Sequence, residues 1–254
     1  MVDVVFLGFG NVNSHLVKAM SKANTVVIKQ IFNRNAIQQN SVIENIPFTD
    51  DISKVAAADI YIIGIPDDAI TEFSIALKFQ DKLTVHTSGG VALDALSSKN
   101  RRGVFYPLQT FSKKHDVNFK AIPICIEAEN SKDLALLKQL GNTISNTVVE
   151  ISSEKRAKLH LAAVFVNNFT NHLYEIGNEI LNEDDVSFEL LKPLIIETAS
   201  KIEKLSPEEA QTGPAKRNDS KTIEKHLHLL GDSKNRNFYE LFTEALKQKY
   251  GKKL

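Results

Sequence analysis

Between Val2 and Ile151 short β-branched runs alternate with helical stretches, and after Ser152 the strands stop. That change constrains the fold more than any other feature, because alternating strands and helices imply a parallel sheet covered on its faces. Val2–Leu7, Thr25–Phe32, Ile60–Ile65, Leu83–His86, Gly103–Tyr106, Ile122–Glu127 and Thr147–Ile151 read as strands. Asn13–Ala23 and Ser131–Ile144 carry apolar residues at helical spacing. Residues 154–181, 187–204, 219–230 and 235–249 all read as helices, broken by Pro207, Gly213 and Pro214. The expected boundary follows residue 151. Residues 1–151 form an α/β domain with a doubly wound, mostly parallel sheet, and residues 152–254 form an all-helical domain.

Composition narrows the function classes. Lys plus Arg and Asp plus Glu both number 31, so no basic excess points to nucleic acid or a membrane surface. No apolar run reaches the roughly 18 residues of a membrane span. The apolar start lacks a basic leader, so it reads as a first strand and the expected compartment is the cytoplasm. The single Cys125 lies in an apolar run and reads as a small buried hydrophobe. The seven histidines are scattered, and no metal site is expected.

The run Phe6-Leu7-Gly8-Phe9-Gly10-Asn11-Val12-Asn13 sits where the first strand hands over to the first helix. Gly8 permits a tight turn, Gly10 lets a pyrophosphate approach the backbone, and the helix N-terminus offers N–H groups to phosphates. Asn13 stands where such a fingerprint usually has a third Gly or Ala, which implies a wider helix–strand contact. The second strand ends Phe32-Asn33-Arg34-Asn35, with no acid to hold a ribose. Arg34 suits bidentate pairing with a 2′-phosphate and Asn33 a hydrogen bond to it. The expected cofactor is therefore NADP(H) rather than NAD. Ile65 and Pro66, closing the next strand, lie beside the same crevice; Asp67 and Asp68 read as a helix N-cap.

On Gly8-Phe9-Gly10-Asn11-Val12, Asn33-Arg34 and Ile65-Pro66, the first half resembles the NADP-binding Rossmann domain of the pyrroline-5-carboxylate reductase and 6-phosphogluconate dehydrogenase superfamily. Four further runs extend the resemblance over nearly the whole chain: His86-Thr87-Ser88-Gly89, Tyr106-Pro107-Leu108-Gln109-Thr110-Phe111, Phe165-Val166-Asn167-Asn168-Phe169 and Ala210-Gln211-Thr212-Gly213-Pro214-Ala215. Together they resemble a bacterial Rossmann-like family of candidate NADP oxidoreductases with a helical C-terminal domain of unassigned function. The resemblance implies an NADP-linked enzyme and a homodimer formed through the helical domain. The family usually has His where this chain has Tyr106, which puts a proton-transfer role at that position in doubt.

The expected chemistry is hydride transfer between NADP(H) and a small C=N or C=O substrate. His86 and Asn167 are the expected catalytic residues, with His86 weighed equally as a buried strand-end histidine. Ser88, Gln109, Asn168, Gln211 and Arg217 are the expected substrate contacts. His160, Val164, Asn167, Asn168 and Asn171 form a stripe on one long helix, whose polar members need a ligand or another helix as partner. The alternative is a nucleotide-binding sensor or interaction protein without turnover, which the fold alone does not exclude.

Overall fold

The computed structural model describes residues 1–35, 43–112 and 115–251. Its sheet has eight strands: β1 (Val2–Leu7), β2 (Val26–Phe32), β3 (Phe48–Thr49), β4 (Ile60–Ile63), β5 (Leu83–His86), β6 (Arg101–Pro107), β7 (Ile124–Ala128) and β8 (Val148–Glu150). They lie in the order β3-β2-β1-β4-β5-β6-β7-β8, and every neighbouring pair is parallel except β6 and β7. The order reverses beside β1, which has β2 on one side and β4 on the other. This is the mostly parallel Rossmann-like sheet expected from the alternation.

Strand geometry explains why the central strands β1 and β4 are largely apolar on both faces. Successive side chains face opposite sides of a sheet, and helices cover both sides here. Val4, Phe6, Ile60 and Ile62 enter one buried cluster with Leu16, Leu137 and Leu140 of helices α1 (Asn11–Met20) and α3 (Ser131–Ile144). Their alternates Val5, Leu7, Tyr61 and Ile63 enter another with Ile70 of α2 (Ile70–Ala76). A smaller cluster joins Val104, Tyr106 and Cys125 to Leu159. Cys125 is buried, and burial pushes its thiol above the ordinary value.

The chain divides into two compact units, Met1–Asn168 and Phe169 onward. The first unit thus runs past the end of the strands, because helix α4 (Ser153–Ala163) is fastened to the sheet. Buried Arg156 pairs with Glu127 of β7 and donates to the Val91 carbonyl, and it lies 3.2 Å from Ser153 Oγ. Ser153 in turn donates to Glu127 at 2.7 Å and accepts from Leu93 N–H at 2.9 Å. A π-helical turn, Val164–Phe169, follows α4 directly.

The second unit is helical: α5 (Thr170–Asn182), α6 (Lys192–Lys201), α7 (Pro207–Ala210), α8 (Ser220–Leu230) and α9 (Asn235–Tyr250). Asp219 caps α8, accepting from Thr222 N–H at 3.1 Å. Ser206 and Glu209 form a reciprocal capping box on α7. Asn235 of α9 donates to Glu179 of α5 at 3.3 Å. Large apolar side chains remain on its surface, with Leu229 81%, Ile196 68% and Leu194 61% exposed. No described helix is long and apolar enough to cross a membrane.

Candidate functional site

The carboxyl ends of β1, β2 and β4 frame a cleft of about 470 Å³. Gly8, Phe9, Gly10, Asn33, Arg34, Ile65 and Pro66 all line it, so seven of the nine residues expected to hold the cofactor converge there. Asn11 and Val12 form the first turn of α1 beside it, where the Asn11 amide donates to the Phe111 carbonyl at 3.0 Å and Val12 packs on the core. This is the crevice a doubly wound sheet opens where its strand order reverses.

Local geometry shows what each residue does. Gly8 has φ +89°, and a Cβ there would lie 2.6 Å from Ile65 Cγ2. Gly10 has ordinary φ −78° and stands at the N-cap of α1 without a side chain to bond the first turn. The helix therefore presents uncapped N–H groups to the cleft. Asn33 secures the turn rather than reaching outward: its Oδ1 accepts from Phe9 N–H at 3.1 Å and its Nδ2 donates to the Asn35 carbonyl at 2.9 Å. Arg34 is exposed on the lining, and the acid of this lining is Glu72 of α2. Asn13 is fully buried; its amide donates to the Gly8 carbonyl at 2.7 Å and packs against Gly64.

A second polar group of residues lies farther along the same sheet edge, at the ends of β4, β5 and β6. Ser88 Oγ donates to Asp67 Oδ2 at 2.8 Å and accepts from the N–H groups of Gly90 and Val91, each at 3.1 Å. Asp67 therefore ties two loops together instead of capping a helix. Tyr106 at the end of β6 meets His160 of α4 with 3.2 Å between Oη and Nδ1. His86 is fully buried, its Nδ1 accepting from Ser88 N–H at 3.2 Å, and its Nε2 meets no hydrogen-bond geometry among the described residues. Burial first, and the Arg156 charge second, lower its pKa to about 4, so the ring is neutral near pH 7. His86 is the last residue of β5.

The remaining expected residues are distributed more widely. Gln109 is exposed, with Oε1 accepting from Thr110 N–H at 2.8 Å. Asn167 and Asn168 are exposed within the π-helical turn. In the helical unit Gln211 donates to the Thr212 carbonyl at 2.8 Å. Arg217 is exposed near Asp219, whose carboxyl is held below its usual range by the Thr222 bonds and, less, by Arg217. Sequence reasoning missed Arg156, Asp67 and the Tyr106–His160 pairing. A basic residue on a helix, an acid after a strand and two aromatic rings 54 positions apart carry no local signal of their contacts. Among the described residues no cluster of potential metal ligands is present.

A domain of unknown function (DUF2520) matches residues 122–246. A candidate NADP oxidoreductase of Bacteroides fragilis is 37% identical and superposes with a TM-score of 0.88, covering 97% of this chain and 98% of its own. The chain belongs to the same Rossmann-like family. Members of more distant groups share its fold. An imine reductase from Pseudomonas sp. has 15% identity and a TM-score of 0.70, with 98% of this chain and 95% of that one covered. A Plasmodium falciparum pyrroline carboxylate reductase, solved with NADP bound, has 14% identity and a TM-score of 0.59 over 99% and 98% of the two chains. No curated protein matches the chain.

Proposed function

We propose that this chain is an NADP(H)-dependent oxidoreductase that moves a hydride between the nicotinamide and a small C=N or C=O substrate. The observation that carries this reading is the cleft beside β1, with the uncapped start of α1 on one side and Arg34 at the end of β2 on the other. The residues fit the cofactor. Gly8 and Gly10 leave the backbone bare where a pyrophosphate would lie, and α1 directs its N–H groups and positive dipole end to it. Arg34 supplies a charge-assisted, bidentate contact for the 2′-phosphate. Asn33 acts one step back, holding Phe9 and so the turn. Bound NADPH supplies the hydride. The same family membership and the naming of the Bacteroides fragilis relative support the assignment.

The polar residues along the sheet edge beyond β4 are the proposed substrate side. Ser88 is fixed on Asp67 and shapes its loop, while Gln109, Asn167 and Asn168 project exposed polar groups. Gln211 and Arg217 are proposed as further substrate contacts. The helical unit is the proposed homodimer contact. Its helices leave Leu194, Ile196, Leu229 and Leu241 more than 60% exposed, and exposed apolar area of this kind marks an association surface.

Calorimetric titration with NADPH and NADH, on the wild type and Arg34→Ala, tests the cofactor. Micromolar NADPH binding corresponds to about 8 kcal/mol. Loss of the arginine is expected to weaken NADPH by about 10- to 100-fold, the value of a charged hydrogen-bonded contact, and to leave NADH unchanged. If neither nucleotide binds the wild type, the oxidoreductase reading is dropped. Sedimentation velocity tests the dimer, and a monomer at micromolar concentration would remove it.

A further inference from the structure

Tyr106 and His160 come from different elements and meet with 3.2 Å between Oη and Nδ1. Their rings are edge-on, at 79° with centroids 6.0 Å apart. The loop after β5 omits side chains where the imidazole sits. A Cβ at Gly89 would lie 2.6 Å from His160 Nδ1 and 2.8 Å from Tyr106 Cζ, and one at Gly90 would touch His160 Cδ2 at 3.8 Å and Asp67 Oδ2 at 3.7 Å. Tyr106 is buried. The His160 ring is half-buried, and its bond to Tyr106 engages Nδ1 and not Nε2. Burial above all pushes the Tyr106 phenol up to about 12, so it keeps its proton throughout the neutral range. A protonated phenol still offers an oxygen lone pair. Which imidazole nitrogen carries the proton is set by the bond the other makes.

We propose that His160 is the proton-transfer residue of this site and Tyr106 its positioning partner, with Nδ1–H donated to Tyr106 Oη and Nε2 left to exchange the proton. This rests on reading the adjacent cleft as a hydride-transfer site. As the C=N or C=O carbon of the substrate accepts the hydride, its nitrogen or oxygen must accept a proton. The Nε2–H bond of charged His160 breaks, an N–H or O–H bond forms on the substrate, and a neutral imidazole remains with Nδ1–H on Tyr106. Solvent then returns a proton to Nε2, and the oxidative direction reverses each transfer. The charged groups around the ring are Asp67, across Gly90, and Arg156, one turn earlier on α4 and committed to Glu127. Buried Cys125 stands behind Tyr106. His86 is sealed in the sheet edge and does not compete for the role.

Nitrogen–proton correlation spectra of the imidazoles across pH read the tautomer directly. Neutral His160 is expected as the Nδ1–H form in the wild type. It should return to the ordinary Nε2–H form in Tyr106→Phe, with NADPH affinity by calorimetry within about twofold of the wild type. A wild-type Nε2–H form, with Tyr106 donating to Nδ1, overturns the proposal. For turnover, 1-pyrroline is the first probe. His160→Gln is expected to lower kcat by about 100-fold or more, the usual worth of a general acid, with KM and NADPH affinity little changed. Tyr106→Phe should move the pH profile of kcat. An undiminished kcat in His160→Gln overturns the proposal. Failure of the wild type to bind NADPH overturns instead the cofactor reading, which calorimetry reports separately.

Discussion

The Asn13 carboxamide occupies the space in which a side chain at residue 64 would stand: a Cβ on Gly64 would lie 2.3 Å from Asn13 Cγ. The amide donates to the Gly8 carbonyl at 2.7 Å and lies 3.3 and 3.4 Å from those of Ile62 and Leu7. The helix of a dinucleotide fold usually reaches its strand through a small third residue. Here the room is taken from the strand instead, and a polar side chain ties three backbone segments together.

That reciprocity makes the two positions energetically coupled. Gly64→Ala alone should destabilise the protein by about 1–3 kcal/mol through overpacking. Asn13→Ala should cost about 1–3 kcal/mol by stranding buried carbonyls. The double variant should be more stable than their sum by about 0.5–3 kcal/mol. Urea denaturation of the four proteins measures the cycle, and strict additivity would show that the contact carries no strain.

The two glycines of the turn should separate folding from binding. Gly8→Ala places a Cβ at φ +89° and 2.6 Å from Ile65 Cγ2, so it should lose at least about 1–2 kcal/mol of stability. Gly10→Ala has an ordinary φ, and its nearest new neighbour is the Gly64 carbonyl oxygen at 3.6 Å. It should fold normally while NADPH affinity falls by about tenfold or more, because the methyl occupies the approach to the pyrophosphate. Thermal melting and calorimetry on the pair decide this, and unchanged affinity in Gly10→Ala would move the phosphates elsewhere.

Burial of His86 predicts acid sensitivity of defined sign. The unfolded histidine takes up a proton as pH falls through about 6.5, whereas the folded ring resists until about 4. Protonation therefore favours the unfolded chain inside that window. Stability contributed by the neutral ring is complete above pH 6.5 and declines by up to roughly 3 kcal/mol as pH approaches 4. His86→Asn keeps an acceptor for Ser88 N–H and cannot charge, so its stability should fall less steeply. Urea midpoints at pH 7 and 4.5 for both proteins give the comparison, and equal slopes would remove His86 as the sensor.

The parts of this molecule that were readable in advance are those whose signal is local. Strand β1 is apolar apart from Asp3, and the glycine turn after it falls at the junction with α1, so most of the cleft lining was legible in the sequence. Strand β3 has only Phe48 and Thr49 and offers no period to detect. Helix α4 was recognisable as a helix, but Arg156 resembles any surface cation until the sheet behind it supplies Glu127. The Asn167 and His160 stripe assumed an unbroken α-helical repeat. The π-helical turn Val164–Phe169 interrupts that repeat, and Asn167 is exposed while His160 meets Tyr106.

The one antiparallel pairing in the sheet sets the height at which the imidazole arrives. Because β7 runs against β6, Glu127 stands level with Val104, two residues below Tyr106. Arg156 fastens α4 to Glu127, and one helical turn later His160 meets Tyr106. Four helical residues from Arg156 to His160 rise about 6 Å. Two strand residues from Val104 to Tyr106 rise about 6.6 Å. The two ladders are in step, so a rung chosen for the ion pair also determines the rung at which His160 meets the phenol. Deleting or inserting one residue between Arg156 and His160 would spoil that phase while leaving the clamp intact.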